Sequence, residues 1–197
     1  MTLLRAFIAI EIPLPIRQAI FQQTESLRAA LGPALVRWIP IENMHLTLKF
    51  LGDVSPANLE LLSQMLVAET LGCAPLSIQV GGFGAFPNSR RARIIWIGIQ
   101  APAALESLQR GIESASARLG YETEDRPFSP HLTIGRVKQQ ISATDRQKVR
   151  AALERTQVGA LGTAEITAVN LFKSDLQPSG AVYTRLISAP FNENGPR

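Results

Sequence analysis

The chain is predicted to be an α+β protein of two pseudo-twofold-related lobes. Each lobe is an antiparallel sheet with outer helices, and the two enclose a central cleft. Three observations lead there. Apolar residues switch between strand and helix periodicity along the chain. One tetrapeptide recurs, as His45-Leu46-Thr47-Leu48 and His131-Leu132-Thr133-Ile134, and it holds both of the chain's histidines. No linker-like stretch separates the copies, so residues 1–197 are expected to pack as one two-lobed domain with one motif per lobe.

The elements follow in order. Arg5 to Glu11 is a run of Phe and Ile ending at Pro13, which suggests a buried strand. Leu14 to Leu31 places Ile16, Ala19, Ile20, Leu27 and Leu31 at helical spacing and exits at Gly32-Pro33. Val36 to Ile39 is a short strand, and Met44 to Leu51 another, closed by Gly52-Asp53. Ser55 before Pro56 is an N-cap that opens a helix through Leu71. Leu76 to Phe86 is extended, and Gly81, Gly82 and Gly84 predict a bulge or bend. Arg91 to Ile99 is a strand, and Pro102 to Leu119 a helix closed by Gly120. Pro130 to Val137 is a strand, and Ser142 to Arg155 a helix with Asp145 at the capping-box position. Thr163 to Lys173 and Ala181 to Ile187 are final strands joined by a turn at Pro178-Ser179-Gly180, and the tail from Asn192 is frayed.

The chain is 46% hydrophobic and 18% charged, enough apolar surface for a sizeable core and not the balance of a disordered chain. The net charge of +4 is compatible with a polyanionic partner. Cys73 stands alone, which excludes an intramolecular disulfide and a cysteine zinc cluster and fits a reducing, cytoplasmic setting. Arg5, Glu11 and Arg17 interrupt the apolar start and Pro13 and Pro15 split it, so neither a signal peptide nor a membrane span is expected.

The chance that a given His precedes Leu-Thr-Leu/Ile is on the order of one in a thousand, so the repeat reflects a duplication. On a strand, residues two apart share a face. His45, Thr47 and Lys49 are therefore expected to face the cleft, with Leu46, Leu48 and Phe50 in the core. In the second copy His131 and Thr133 share a face above buried Leu132 and Ile134. Two imidazoles with hydroxyl donors beside them suit a phosphodiester: one takes a proton from attacking water, the other gives one to the departing oxygen, and Thr47 and Thr133 hold the phosphate oxygens. Two histidines without a neighbouring Cys or carboxylate make a thin coordination set, so neither metal nor other cofactor is expected.

These residues resemble the two-histidine phosphoesterases. The flanks narrow the resemblance to the bacterial and archaeal RNA 2′,3′-cyclic phosphodiesterases, historically called 2′-5′ RNA ligases. It runs through Arg5-Ala6-Phe7-Ile8-Ala9-Ile10, Trp38, Glu42 to Gly52, Phe83 to Pro87, Arg93 to Trp96, Phe128 to Arg136, and Ser174 to Tyr183. The resemblance implies hydrolysis of a terminal 2′,3′-cyclic phosphate on RNA or a nucleotide to a 2′-phosphate. It also implies a weak, reversible 2′-5′ joining of tRNA halves. By position, His45 and His131 would be the acid–base pair, with His45 taken as base and His131 as acid, although near-symmetry leaves the roles almost interchangeable. Thr47, Thr133 and Arg136 would bind phosphate. Arg136 lies five residues past His131, on the opposite face unless Gly135 bulges the strand.

Further contacts to RNA are expected from Arg90 and Arg93 on a basic rim beside Arg91, from Lys49, and from Phe7 and Phe86 as stacking rings. Trp38 and Trp96 are assigned to packing. Two rival readings remain: a module that holds an RNA end without turnover, and a related enzyme acting on another small phosphoester. No phosphate loop of the Gly-x-x-x-x-Gly-Lys type occurs, which argues against ligation as the main role. A monomer is expected.

Overall fold

The two histidine-bearing strands lie side by side at the middle of one sheet. The computed structural model describes residues 2–177 and 180–192. In chain order these form β1 (Leu4–Glu11), α1 (Leu14–Gln23), α2 (Glu25–Leu35), β2 (Val36–Trp38), β3 (His45–Val54), α3 (Leu59–Thr70), β4 (Leu76–Phe86), β5 (Ile94–Gln100), α4 (Ala103–Arg118), β6 (His131–Val137), α5 (Ala143–Arg155), β7 (Ala160–Ile166), β8 (Ala168–Gln177) and β9 (Gly180–Pro190). The strands form one sheet in the order β7-β4-β5-β6-β3-β1-β8-β9, with β2 on β6. No helix among the described residues is long and apolar enough to cross a membrane.

β3 and β6 meet at a single antiparallel pair, Leu46 opposite Leu132, each one residue past its histidine. Outward from this contact the two lobes mirror each other: β6-β5-β4-β7 on one side and β3-β1-β8-β9 on the other. The lobes are not the two halves of the sequence. β4 follows α3 but joins β5 and β7, while β8 returns to β1 and carries β9 on its outer edge. Each lobe thus contains strands from both halves of the chain. One large apolar cluster unites the sheet with the helices, with Ile8, Ile10, Leu46, Leu62, Leu66, Ile95, Ile97, Leu105 and Ile112 all but inaccessible. Each such side chain contributes about 1.5–3 kcal/mol of apolar burial. A smaller cluster of Phe7, Ala9 and Phe172, with Tyr183 packed on it, lies apart from this core.

Several local expectations correspond to observed elements, and some differ. Ser142 Oγ accepts from Asp145 N–H at 3.0 Å and donates to Asp145 Oδ2 at 2.7 Å, capping α5. Ser55 Oγ accepts from Ala57 N–H at 3.4 Å ahead of a short 3-10 turn that leads into α3. β4 is bulged between Val80 and Phe83, where a Cβ on Gly81 would lie 2.6 Å from the Gly159 carbonyl oxygen. The single helix expected over 14–31 is broken at Thr24. Its buried hydroxyl donates back to the Ile20 carbonyl at 2.8 Å, a bond that competes with helix continuation. Gly32, with φ of 60°, ends regular helix before Pro33 as expected. The single strand expected over 163–173 is two, because β7 pairs with β4 in one lobe and β8 with β1 in the other. Asn192 N–H bonds to the Cys73 carbonyl at 2.8 Å. The rest of the tail, and the turn residues 178–179, lie outside the described residues.

The decisive local feature is a pair of matching bulges. On β3 the register with β1 passes from Ala9 opposite Thr47 to Ile8 opposite Lys49, skipping Leu48. On β6 the register with β5 passes from Trp96 opposite Thr133 to Ile95 opposite Gly135, skipping Ile134. Each motif strand therefore carries an extra residue just after its threonine, and alternation beyond it is reversed. Lys49 consequently does not share the cleft face. It is 4% exposed, and its Nζ pairs with Glu113 Oε1 of α4 at 2.5 Å and donates to the Glu122 carbonyl. Phe50, expected in the core, is 65% exposed and turned toward Phe7.

Replacing Lys49 by Met strands the Glu113 carboxylate without its cation. Urea unfolding should show a loss of about 3 kcal/mol, as expected for half a buried ion pair.

Candidate active site

The two imidazoles are held in the same way. His45 Nδ1 lies 2.7 Å from the Asn43 carbonyl oxygen, and His131 Nδ1 lies 2.7 Å from that of Ser129. A carbonyl can only accept, so Nδ1 carries the hydrogen in both rings and Nε2 is left for proton exchange. Each histidine is thus oriented by the backbone two residues before it, a strand-end geometry repeated in both lobes.

Their surroundings differ. His45 stacks on Phe7 with centroids 4.8 Å apart, and the Tyr183 ring meets it edge-on at 5.2 Å. Burial pushes its pKa down to about 4; the Asn43 carbonyl opposes the shift and the positive charge of Arg136 adds to it. His131 meets Phe86 edge-on at 5.0 Å. Its pKa is also lowered, first by burial and then by Arg136, against the Ser129 carbonyl. Arg136 therefore acts on both imidazoles. The bulge at Ile134 re-aims it, and it stands beside Arg37 of β2 and Ile94 of β5. Arg136 is exposed, and desolvation of the part of its side chain that faces the protein lowers its own pKa. Gly135 permits this arrangement, since a Cβ there would lie 2.8 Å from Val36 Cγ1 and 2.9 Å from the Trp38 ring. Thr47 and Thr133 are half-buried, opposite Ala9 and Trp96, and among the described residues neither hydroxyl has a hydrogen-bond partner.

A cavity of about 580 Å³ opens on the His45 flank. Arg136, Arg37, Arg17, Trp38, Asn43, Phe172 and Tyr183 help to line it, together with Glu11, Glu42 and residues 180–182 of β9. Asn43 Nδ2 donates to the Ala181 carbonyl at 2.8 Å and ties the first motif to that strand. His131, Thr47 and Thr133 are not on the cavity wall. The cavity is thus an annex to the paired motifs, on one side only.

The remaining expected contacts divide. Phe7 cannot stack a nucleobase: it is 4% exposed, with His45 stacked at 4.8 Å and Phe172 at 5.4 Å. It supports His45 instead. Phe86 is half-buried between His131 and Trp96. Arg93 is exposed at the bend just before β5, where its carbonyl accepts from Val137 N–H at 3.0 Å. Arg90 is exposed beside Glu154, whose carboxylate is held below its usual range mainly by Arg150. Sequence reading missed Arg37, Asn43, Phe172 and Tyr183 as wall residues. Asn43 and Tyr183 fall within the stretches of resemblance, but nothing in strand alternation points Arg37 toward a histidine a lobe boundary away. Among the described residues no group of three or more His, Cys, Asp or Glu side chains could hold a metal ion.

The model of the LigT like Phosphoesterase family matches twice, over residues 10–96 and 97–183, one histidine motif in each copy. The chain belongs to this family. Among LigT-like relatives, the RNA 2′,3′-cyclic phosphodiesterase of Methanothermobacter thermautotrophicus is 33% identical over 91% of this chain and 95% of its own length. That of Archaeoglobus fulgidus is 30% identical over 93% and 98%. The Escherichia coli LigT crystal structure with 3′-AMP aligns with a TM-score of 0.73 at 26% identity, over 96% of this chain and 99% of that one. A crystal structure of a Thermus thermophilus protein aligns with a TM-score of 0.78 at 25% identity, over 95% and 97%.

In this LigT-like chain, NMR titration of the imidazoles should show His45 neutral down to about pH 4 and His131 titrating below the ordinary value of 6.5. The depressed His45 value also has a sign for stability. The unfolded chain takes up that proton first as pH falls, so unfolding free energy should decline from pH 6.5 toward about 4. His45→Phe should reduce that slope in chemical denaturation.

Proposed function

We infer that this chain hydrolyses the 2′,3′-cyclic phosphodiester at an RNA or nucleotide end to a 2′-phosphate. The observation that carries this reading is the pairing itself: two imidazoles in the same tautomer on adjoining strands, two unpartnered threonine hydroxyls beside them, and one arginine acting on both. The relatives named RNA 2′,3′-cyclic phosphodiesterase support the activity. The structure of E. coli LigT with 3′-AMP supports a nucleotide ligand.

Thr47, Thr133 and Arg136 hold the non-bridging oxygens, where charge grows as water adds to phosphorus. One imidazole takes the proton of the water, and the other protonates the departing 3′ oxygen. Water and leaving group stand on opposite sides of the phosphorus. The departing oxygen belongs to the ribose, so the acid lies on the nucleoside's side. The cavity that can admit a nucleoside opens beside His45. We therefore assign His45 as acid and His131 as base, the reverse of the order taken from the sequence. Burial favours the opposite proton placement in the free protein, since His45 is pushed down to about 4. The bound phosphate anion restores the proton to His45. Both placements give the same bell-shaped profile, because a coupled pair titrates as a unit; the position of the cavity is what separates them. RNA carrying a cyclic phosphate, tRNA fragments among them, is the fitting substrate class, and we take the enzyme to act as a cytoplasmic monomer.

The test is turnover of an oligonucleotide ending in a 2′,3′-cyclic phosphate, with EDTA present. The wild type should yield the 2′-phosphate. His45→Ala and His131→Ala should each lower kcat/KM by about a hundred- to ten-thousandfold. Arg136→Gln should cost about a hundredfold or more. Binding without turnover would instead identify an RNA-end module. The wild-type kcat/KM profile should be bell-shaped, with its acid limb near pH 4 and its basic limb below 6.5. A substrate with sulfur in place of the 3′ bridging oxygen needs no acid. It should restore turnover to His45→Ala and not to His131→Ala; rescue of His131→Ala alone would reverse the two roles.

A further inference from the structure

The bulge at Leu48 puts Phe50 on the cleft face, and the pseudo-twofold axis gives that position a meaning. Phe50 follows His45 by five residues as Arg136 follows His131. Arg136 runs past the axis to flank His45; Phe50 runs the other way. With Leu46 opposite Leu132 and the strands antiparallel, successive residues of β3 advance toward the segment that precedes His131. Phe50 therefore stands on the His131 flank. It is 65% exposed, while its neighbour Phe7, 6.2 Å away, is buried. Together Phe50, Phe7, Phe172 and Tyr183 form an aromatic row on the cleft face, and Phe50 is the exposed end of it.

For the 2′-5′ joining that the family resemblance implies, with an acceptor hydroxyl in place of the attacking water, we propose that Phe50 is the stacking platform that holds the acceptor nucleoside. The proposal rests on the phosphodiesterase reading above and on His131 as base. In-line displacement puts the attacking oxygen on the flank opposite the cavity; there Phe86 is half-buried against His131, and among the described residues Phe50 is the exposed aromatic side chain of the cleft face. The acceptor oxygen bonds to phosphorus and the bond to the 3′ oxygen breaks. His131 Nε2 takes the acceptor's hydroxyl proton, and His45 gives its proton to the departing oxygen. The product is a 2′-phosphodiester joining donor and acceptor, with no other reactant consumed. A nucleobase stacks on an exposed ring largely without regard to sequence, so the site selects acceptors by the presence of a base.

The experiment uses the cyclic-phosphate oligonucleotide with millimolar adenosine or, separately, methyl β-D-ribofuranoside, which has hydroxyls and no base. Chromatography gives the ratio of joined to hydrolysed product, a readout that overall loss of activity does not move. Adenosine should give a ratio about tenfold above the abasic sugar, the lower range of base stacking on an aromatic ring. Phe50→Ala should bring the two acceptors level, and Phe50→Trp should keep the preference. Equal ratios in the wild type, or a preference that survives Phe50→Ala, would overturn the proposal. Failure to consume the cyclic phosphate at all would overturn the hydrolase reading, and this inference with it.

Discussion

The site depends on one contact, the antiparallel pairing of Leu46 with Leu132. Both side chains are buried, and each is flanked by the histidine and threonine of its motif. Alternation along a strand then puts four polar side chains on the opposite face around a single point. Burial of the two leucines is thus what brings the two imidazoles and the two threonine hydroxyls together. A slip of one residue in either strand would turn a histidine into the core. Beyond this pair β3 and β6 diverge, each held by its own lobe, and the divergence leaves a cleft between them.

Symmetry alone would make a site with two equal sides. The paired bulges keep the symmetry of the backbone while the side chains depart from it. After Leu48 the chain supplies Lys49 to the helix side and Phe50 to the cleft; after Ile134 it supplies Gly135 to packing and Arg136 to the cleft. One flank thereby gains a cation and a cavity, the other an exposed ring. The same backbone device feeds the stability of one lobe, through Lys49 and Glu113, and the electrostatics of the centre, through Arg136. The aromatic wall of Phe7, Phe172 and Tyr183 adds a further difference by burying His45 more deeply than its partner.

By itself the sequence determined which polar side chains meet at the centre. The repeated tetrapeptide named both imidazoles and both threonines, because a rare residue in a duplicated context is visible without any fold, and the helices with clear caps, at Ser55 and Ser142, were legible for similar local reasons. Tertiary structure alone decided which strands share a lobe: the switch at Thr167 between β7 and β8 and the return of β8 to β1 leave no mark on local periodicity. It also decided the fate of Lys49, Phe50 and Arg136. A bulge arises from the mismatch between two paired strands, so a period counted along one strand cannot show it. The same holds for Phe7, whose ring is covered by His45 and Phe172 from neighbouring strands. Residue types carry the chemistry, and pairing between distant segments sets the direction in which each one points.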